Sequence, residues 1–390
     1  MTRYTRVEDI ALKKITNKNV LLLADTDNET FCVSEYIKEI KTNSVHEIQI
    51  VNPIKVNNIK LNNIEAIIIH YSIYISSYYF LNESWQKKIQ KFKKLKLLII
   101  QDEYRHVNLT VYQINKLGFN FIISSLSISN LKLVYQDSKF KNVTFISALP
   151  GYISDFMLNC FNGNNKREND LLGRGSELPN SLGFAKVEKD IVYKKLYEKI
   201  AYGMNLNFFK KIIYGVPLSL NKYSFKSDIS SLYKDRFYKA SWIEQLQNTK
   251  CVLGVEGGAS IFDFDSSVEY LTNKLDFAES NEKKPSDIYT KYYNNLNNIH
   301  HRTLTPRILE AICCGTVLIL LEGEFRNIIK PNVHYVPIKR DLSNLWDIIK
   351  LLKNKKYITS MRKKAFSEIA MNRKYHFKYF INKLDLIVGS

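Results

Sequence analysis

The sequence predicts an α/β protein of two halves, each an open parallel sheet covered by helices, with a cleft between them. Three observations carry this. The chain has 390 residues, too many for one ordinary core at about 150 residues per domain. Short apolar runs that end in small or polar residues alternate with longer segments of helical spacing, the pattern of a parallel sheet. A polar stretch from Asn162 to Asp170, "NGNNKREND", interrupts the alternation, and a second series follows it.

In the first half, strand-length runs occur in "NVLLLADTD", "IEAIIIHYS", "KLKLLIIQDEYR", "FNFIISS" and "NVTFISALP". Between the second and third lies "NESWQKKIQKFKKLK", where Trp85, Ile89 and Phe92 recur at helical spacing among lysines; it reads as a sheet-covering helix. The second half reads as a strand in "DLLGRGSELP", a helix through "VEKDIVYKKLYEKIAYG", and strands in "FFKKIIYGVPL" and "CVLGVEGG". A helix in "PRILEAICCG" and strands in "TVLILLEG" and "HYVPI" complete it. The polar segment Ser266 to Asn298 reads as an insertion, either a mobile lid or a plain surface loop. The final stretch, residues 357–388, reads as one or two amphipathic helices.

Composition narrows the function classes. Hydrophobic residues make up 45% of the chain and charged residues 24%, as in a folded protein rather than a disordered one. No stretch approaches the roughly 20 apolar residues that cross a bilayer, and the charged start lacks a signal-peptide pattern; the expected location is cytoplasmic. Five cysteines without a CxxC pair argue against a disulfide framework or a zinc site. A net charge of +19 calls for an acidic partner: nucleic acid, anionic lipid or a phosphorylated small molecule. Zinc-finger spacing, an RNP signature, a KH loop and basic heptads are all missing from the sequence, so nucleic acid is not the expected partner.

The stretch "TPRILEAICCGTVLILLEG", Thr305 to Gly323, is the most informative. Thr305 and Pro306 suit a helix start and Gly315 a helix end. Ile308, Leu309, Ile312 and Cys313 supply a buried face, and Cys313 and Cys314 read as small hydrophobes. Glu310 stands one turn inside this apolar helix, where a carboxylate is costly unless something hydrogen-bonds it. A ribose diol would do so; capping its own helix or pairing with Arg307 is the plainer role.

The segment "PRILEAICCGTVLILLEGEFRNIIKPNVHYVPIKRDLSN" resembles the nucleotide-binding end of GT-B glycosyltransferases of the group-1 type, often found in bacterial surface-polysaccharide clusters. The resemblance extends to "QDEYR", "RGSELPNSLGFAKVEK" and "VEGGASIFDFD", and so covers most of the chain. It implies two Rossmann-like domains facing a cleft: residues 1–160 for the acceptor and 161–370 for the sugar nucleotide, with 371–390 a helix crossing back onto the first. Glu310 matches the glutamate that holds the donor ribose. Many relatives carry a second acidic residue two turns earlier, where this chain has Arg302, which leaves part of that role to Glu256.

Ligands of parallel sheets bind beyond the carboxyl ends of strands. In the second half this singles out Glu256, Gly257, Gly258 and Ser260 for the donor, since glycines admit a pyrophosphate to the backbone. Arg174, Lys189 and Arg307, with Thr305, are candidates to neutralise the departing nucleotide diphosphate, where charge develops. In the first half Asp102, Glu103 and His70 are candidates for the base that an inverting transfer needs, and Asp25, Asp27 and Arg105 for acceptor contacts. Capping carboxylates and a satisfied structural histidine are the plainer readings. Asp263 and Asp265 in "DFDSS" invite a metal reading, but GT-B enzymes generally manage without one, so metal-independent turnover is expected.

The reading from sequence is therefore a glycosyltransferase moving a sugar from a nucleotide-sugar substrate, with no cofactor, to a glycan or lipid-linked acceptor in capsule or O-antigen biosynthesis. The basic helix "KKIQKFKKLK" would rest on anionic lipid. A GT-B-type sugar-nucleotide epimerase and a basic nucleic-acid-binding protein are the alternatives.

Overall fold

The computed structural model describes residues 2–140, 142–163, 166–214, 216, 225–279 and 299–389. In the first half, seven parallel strands lie in the order β1-β7-β6-β5-β4-β2-β3: β1 (Arg3–Arg6), β2 (Asn19–Leu23), β3 (Glu47–Val51), β4 (Ala66–Ile69), β5 (Leu95–Ile100), β6 (Phe121–Ser124) and β7 (Thr144–Ser147). Helices α1 (Phe31–Asn43), α2 (Glu83–Lys91), α3 (Val107–Leu117) and α4 (Ile128–Val134) cover it, and the single turn α5 (Asp155–Leu158) leads out. Val20 to Leu23 and Ala66 to Ile69 are buried on both faces, which is why these strands read as unbroken apolar runs rather than alternating ones.

The second half holds five parallel strands, β14-β13-β10-β8-β9: β8 (Asn169–Arg174), β9 (Ser227–Ser230), β10 (Thr249–Gly254), β13 (Val317–Leu321) and β14 (Tyr335–Ile338). A small antiparallel pair, β11 (Gly257–Ala259) and β12 (His301–Thr303), stands beside it. Its helices are α6 (Phe184–Asp190), α7 (Leu196–Asn205), α8 (Phe208–Ile213), α9 (Lys239–Asn248), α10 (Ser267–Glu279), α11 (Pro306–Cys313), α12 (Leu345–Leu351) and α13 (Lys355–Ala365). Cys313 and Cys314 pack in the core between α11 and the sheet.

The last helix, α14 (Phe377–Val388), belongs to the first half in space. Phe377 and Phe380 meet the Tyr36 ring at 5.1 and 5.6 Å, and Phe380 stacks on Tyr152 at 4.7 Å. Asp385 accepts from Ser44 Oγ at 2.7 Å and Val45 N at 3.0 Å, so both apolar burial and a satisfied carboxylate fix the return crossing. A second tie runs the other way: Phe262 is buried in the core of the first half, and Val107 N donates to the Asp263 carbonyl at 3.0 Å.

Two expectations change. The run "FFKKII" is helix α8, not a strand: the Asn207 side chain accepts from Lys210 N and caps it, and a short apolar run carries no periodicity that separates the two. The polar insertion begins with helix α10; residues 280–298 of the expected lid lie outside the described residues. The helix expected in "NESWQKKIQKFKKLK" forms as α2, with Trp85, Ile89 and Phe92 buried as expected; Lys96 beyond it is also buried, with Nζ on the Ile89 and Leu117 carbonyls. Among the described residues no helix is long and apolar enough to cross a membrane.

Candidate active site

Both parallel sheets send the carboxyl ends of their strands toward one cleft. A cavity of about 360 Å³ lies between the halves, bordered from the first by Thr30, Cys32, Asp102 and Tyr104 and from the second by the ends of β8 and β10 and the start of α11. A neighbouring cavity of about 540 Å³ opens in the first half, bordered by Tyr71, Tyr74, Ser76, Tyr104, Arg105 and His106 among others. Asp102 and Tyr104 border both.

Asp102 follows β5 with φ +59°, in the left-handed region. For a non-glycine residue this costs about 1–2 kcal/mol, and such strain concentrates where a side chain must be aimed. Tyr104 OH donates to Asp102 Oδ1 at 3.0 Å. Burial raises the Asp102 carboxyl above its ordinary range, opposed by the Tyr104 hydrogen bond and then by Lys189 and Arg105. Next to it, Glu103 is fully buried, accepting from Ser124 Oγ at 2.5 Å and Tyr135 OH at 3.2 Å, and burial pushes it up to about 8. Glu103 therefore reads as a neutral group in the cavity floor.

Lys189, on α6, faces Asp102 across the cleft. Burial brings its ammonium down to about 8, Arg307 adds repulsion, and Asp102 works the other way. Among the described residues Lys189 has no hydrogen-bond or salt-bridge partner, which distinguishes it from the cations around it. Arg174 borders the cleft, but its guanidinium is committed: Nε to the Asp235 carbonyl at 2.8 Å, Nη1 to the Asp228 carbonyl at 2.9 Å, Nη2 to the Asp228 carboxylate, and its face on Phe237. It fastens β8 to β9. Arg307 donates to the Arg174 carbonyl at 2.8 Å and lies over Trp242, 5.3 Å from the ring centre.

Glycines shape the second wall. Gly258 has φ +110°, and a Cβ there would stand 2.3 Å from the His301 carbonyl oxygen, so β11 and β12 can pair only with glycine at this position. Gly257 borders the cleft beside Thr305, whose side chain makes no cap hydrogen bond. Glu256 borders it too, but its Oε1 accepts from Phe325 N at 2.6 Å. That bond supports a turn in which Phe325, Arg326 and Asn327 all have φ between +45° and +57°. Ser260 lies behind the wall, its Oγ accepting from Phe184 N at 2.9 Å and so setting the start of α6.

Glu310 is buried one turn behind Arg307. Its Oε2 accepts from Trp242 Nε1 at 2.6 Å, and it borders a narrow crevice with Cys32 and Glu35 instead of the main cleft. Burial pushes its carboxyl up to about 7. Arg302 pairs with Glu188 on α6 at 3.3 Å, and Arg340 holds the other carboxylate oxygen at 2.9 Å.

The remaining candidates sit outside the two cavities, with one exception. His70 is enclosed by Tyr36 and Tyr71, its Nδ1 2.9 Å from Ser72 Oγ, and burial brings it down to about 3, so it is neutral. Asp25 accepts from Asp27 N in its own loop and from Asn52 Nδ2 in the loop after β3, and Asp27 pairs with Lys55 at 2.7 Å. Arg105, the exception, borders the larger cavity and pairs with Glu269 at 2.7 Å. Asp263 and Asp265 cap the start of α10: Asp263 accepts from Val268 and Glu269 N, Asp265 from Ser267 N. Sequence reasoning missed Trp242, which no local pattern marks, and Tyr71, Tyr74 and Tyr104. The run "YSIYISSYY" held a usable signal, since so many hydroxyl-bearing side chains after a buried strand suit a polar cavity.

No family model matches the sequence, and no curated protein matches it. Among solved structures, HepE of Anabaena (Alr3699) in complex with UDP-glucose is similar to this chain, with a TM-score of 0.52 and 8% identity over 94% of this chain and 98% of HepE. HepE in complex with UDP and glucose gives 0.51 over the same shares. TarM gives 0.45 at 12% identity, with 83% of this chain covering 55% of TarM. The chain has the GT-B fold. In GT-B terms, β8 to β14 form the second Rossmann-like unit, β1 to β7 the first, and α14 the return crossing.

Proposed function

We propose that this GT-B chain is a glycosyltransferase, with a nucleotide-sugar donor in the 360 Å³ cleft and the acceptor in the 540 Å³ cavity. The observation that carries the reading is the place of Asp102: at the junction of both cavities, on a strained backbone, opposite a lysine that has no hydrogen-bond or salt-bridge partner among the described residues. In this reaction the acceptor hydroxyl gives its proton to Asp102 as its oxygen bonds to the anomeric carbon. The bond from that carbon to the diphosphate oxygen breaks, and Lys189 and Arg307 meet the charge that develops on the departing nucleotide. Tyr104 orients the Asp102 carboxylate.

UDP is the proposed nucleotide, supported by the two HepE complexes that share the fold. Gly257, Gly258 and Thr305 are assigned to the donor side of the cleft. The ribose role proposed for Glu310 requires the ribose to reach from the cleft into the narrow crevice that Glu310 borders and to share its carboxylate with Trp242. With cations supplied by Lys189 and Arg307, turnover is expected to be metal-independent; a rate unchanged by EDTA checks this. The acceptor is proposed to be a glycan or lipid-linked saccharide of a bacterial surface polysaccharide, met at an anionic membrane face by a protein of net charge +19. A thermal-shift screen against UDP-, GDP-, dTDP- and CMP-sugars tests the reading. Saturating donor at a hundredfold excess over Kd adds about 2.7 kcal/mol. The shift is expected with UDP-sugars and roughly halved in Lys189→Gln, and no shift with any nucleotide would overturn the assignment.

A further inference from the structure

Amphipathic helices normally turn the apolar stripe inward; α8 turns it outward. Ile212 and Ile213 are 54% and 77% exposed, and Phe209, which shares their stripe at i, i+3 and i+4, is 75% exposed. Lys211, on another side of the same helix, is buried. Tyr214 (57% exposed) continues the ridge, with Tyr202 6.2 Å from it ring to ring. Contiguous exposed apolar surface of this kind marks an interaction site.

Charge identifies what covers it. Helices α7, α12 and α13 pack on the same face of the second sheet, through Leu196, Leu345 and Ile358 among others. The solvent side of that layer carries exposed Lys195, Lys210, Lys355, Lys356 and Lys364 against exposed Glu198 and Asp347, the latter paired with Lys350, so cations outnumber carboxylates there. An apolar ridge that carries Lys210 on its own helix, beside a helical layer with a surplus of lysines, matches the acyl boundary and the headgroups of an anionic bilayer. Helix α2, equally rich in lysine, has nothing to insert, because Trp85, Ile89 and Phe92 are in the core.

We propose that α8 is the element that docks this protein on anionic lipid. The inference rests on the membrane contact in the reading above and is independent of the transfer chemistry. Flotation of the full chain with vesicles of phosphatidylcholine, alone or mixed with phosphatidylglycerol, tests it. Binding is expected to the mixed vesicles only, weakened at least tenfold in I212S/I213S because two apolar side chains leave the buried face, and little changed in K87Q/K91Q on α2. Unchanged binding of I212S/I213S, or loss in K87Q/K91Q instead, would overturn the assignment to α8 while leaving the membrane contact standing. Equal binding to phosphatidylcholine alone, or no binding by the parent protein, would overturn both. A dimer in sedimentation velocity that I212S/I213S dissolves would assign the ridge to a second copy and overturn the lipid reading. The UDP-glucose thermal shift, measured on the same variants, reports folding and the donor site separately: it is expected to persist where flotation is lost.

Discussion

The two halves differ in the chemistry that they present to the cleft and to the cavity beside it. The first half presents carboxyl groups and tyrosine hydroxyls, Asp102 and Glu103 with Tyr71, Tyr74 and Tyr104, whereas the second presents Lys189 and Arg307 over a glycine-lined backbone. Burial acts on both with opposite sign, raising Asp102 and bringing Lys189 down to about 8. Each is thereby made more responsive to a ligand that supplies the missing partner. A proton acceptor on one side and an anion acceptor on the other is the polarity that group transfer between two substrates requires.

Removing the base side should cost most. Asp102→Asn keeps shape and the Tyr104 contact but cannot take a proton, so kcat is expected to fall by about 10²–10⁴-fold with donor affinity nearly unchanged; unaltered turnover would remove Asp102 from the chemistry. The cation side follows. Lys189→Gln is expected to raise the donor Kd about tenfold, equivalent to about 1.4 kcal/mol. Because Lys189 is charged below about 8, donor binding should be strongest below that pH and weaken as pH rises through it. In Lys189→Arg the weakening should move to higher pH; a calorimetric pH series checks both.

Stability should report the neutral carboxyls beside this pair. Glu103 is raised to about 8 and Glu310 to about 7 when folded, above the ordinary 4.5. Their protonated forms therefore stabilise the fold fully below about pH 4.5. That contribution is lost as pH rises from there toward 7 for Glu310 and 8 for Glu103, with a slope of up to about 1.4 kcal/mol per pH unit for each proton. Glu103→Gln should flatten this limb in urea titrations; an unchanged limb would mean that Glu103 is ionised in the fold. The smallest effect is expected at Asp27→Asn, within about 0.5 kcal/mol and without loss of activity, because the exposed Asp27–Lys55 pair borders neither cavity.

The architecture was legible wherever burial is two-sided. Val20 to Leu23, Ala66 to Ile69 and Val317 to Leu321 announce parallel strands because every position must be apolar, and Pro306 and Gly315 bracket α11 by backbone preference alone. The segment "FFKKII" was not legible: its apolar residues fit a strand in isolation, and only the Asn207 cap and the solvent-facing ridge reveal a helix. Among site residues, the strand-end positions of Asp102, Glu256 and Gly257 could be read, but their partners could not.

The sequence by itself determined the alternation of strands and helices, the two halves and the positions that end strands at a cleft, since periodicity and backbone preference are local properties. Tertiary structure alone decided which polar group was already spoken for. Glu310 meets Trp242 from 68 positions away, Arg174 is held by residues 54 and 61 positions on, and Arg302 answers a glutamate on α6. Asp102 gained two cavities, and among the described residues Lys189 was left without a hydrogen-bond or salt-bridge partner by the same packing. Hydrogen-bond satisfaction depends on which distant side chains the fold brings within about 3 Å, and no local pattern in the chain encodes that.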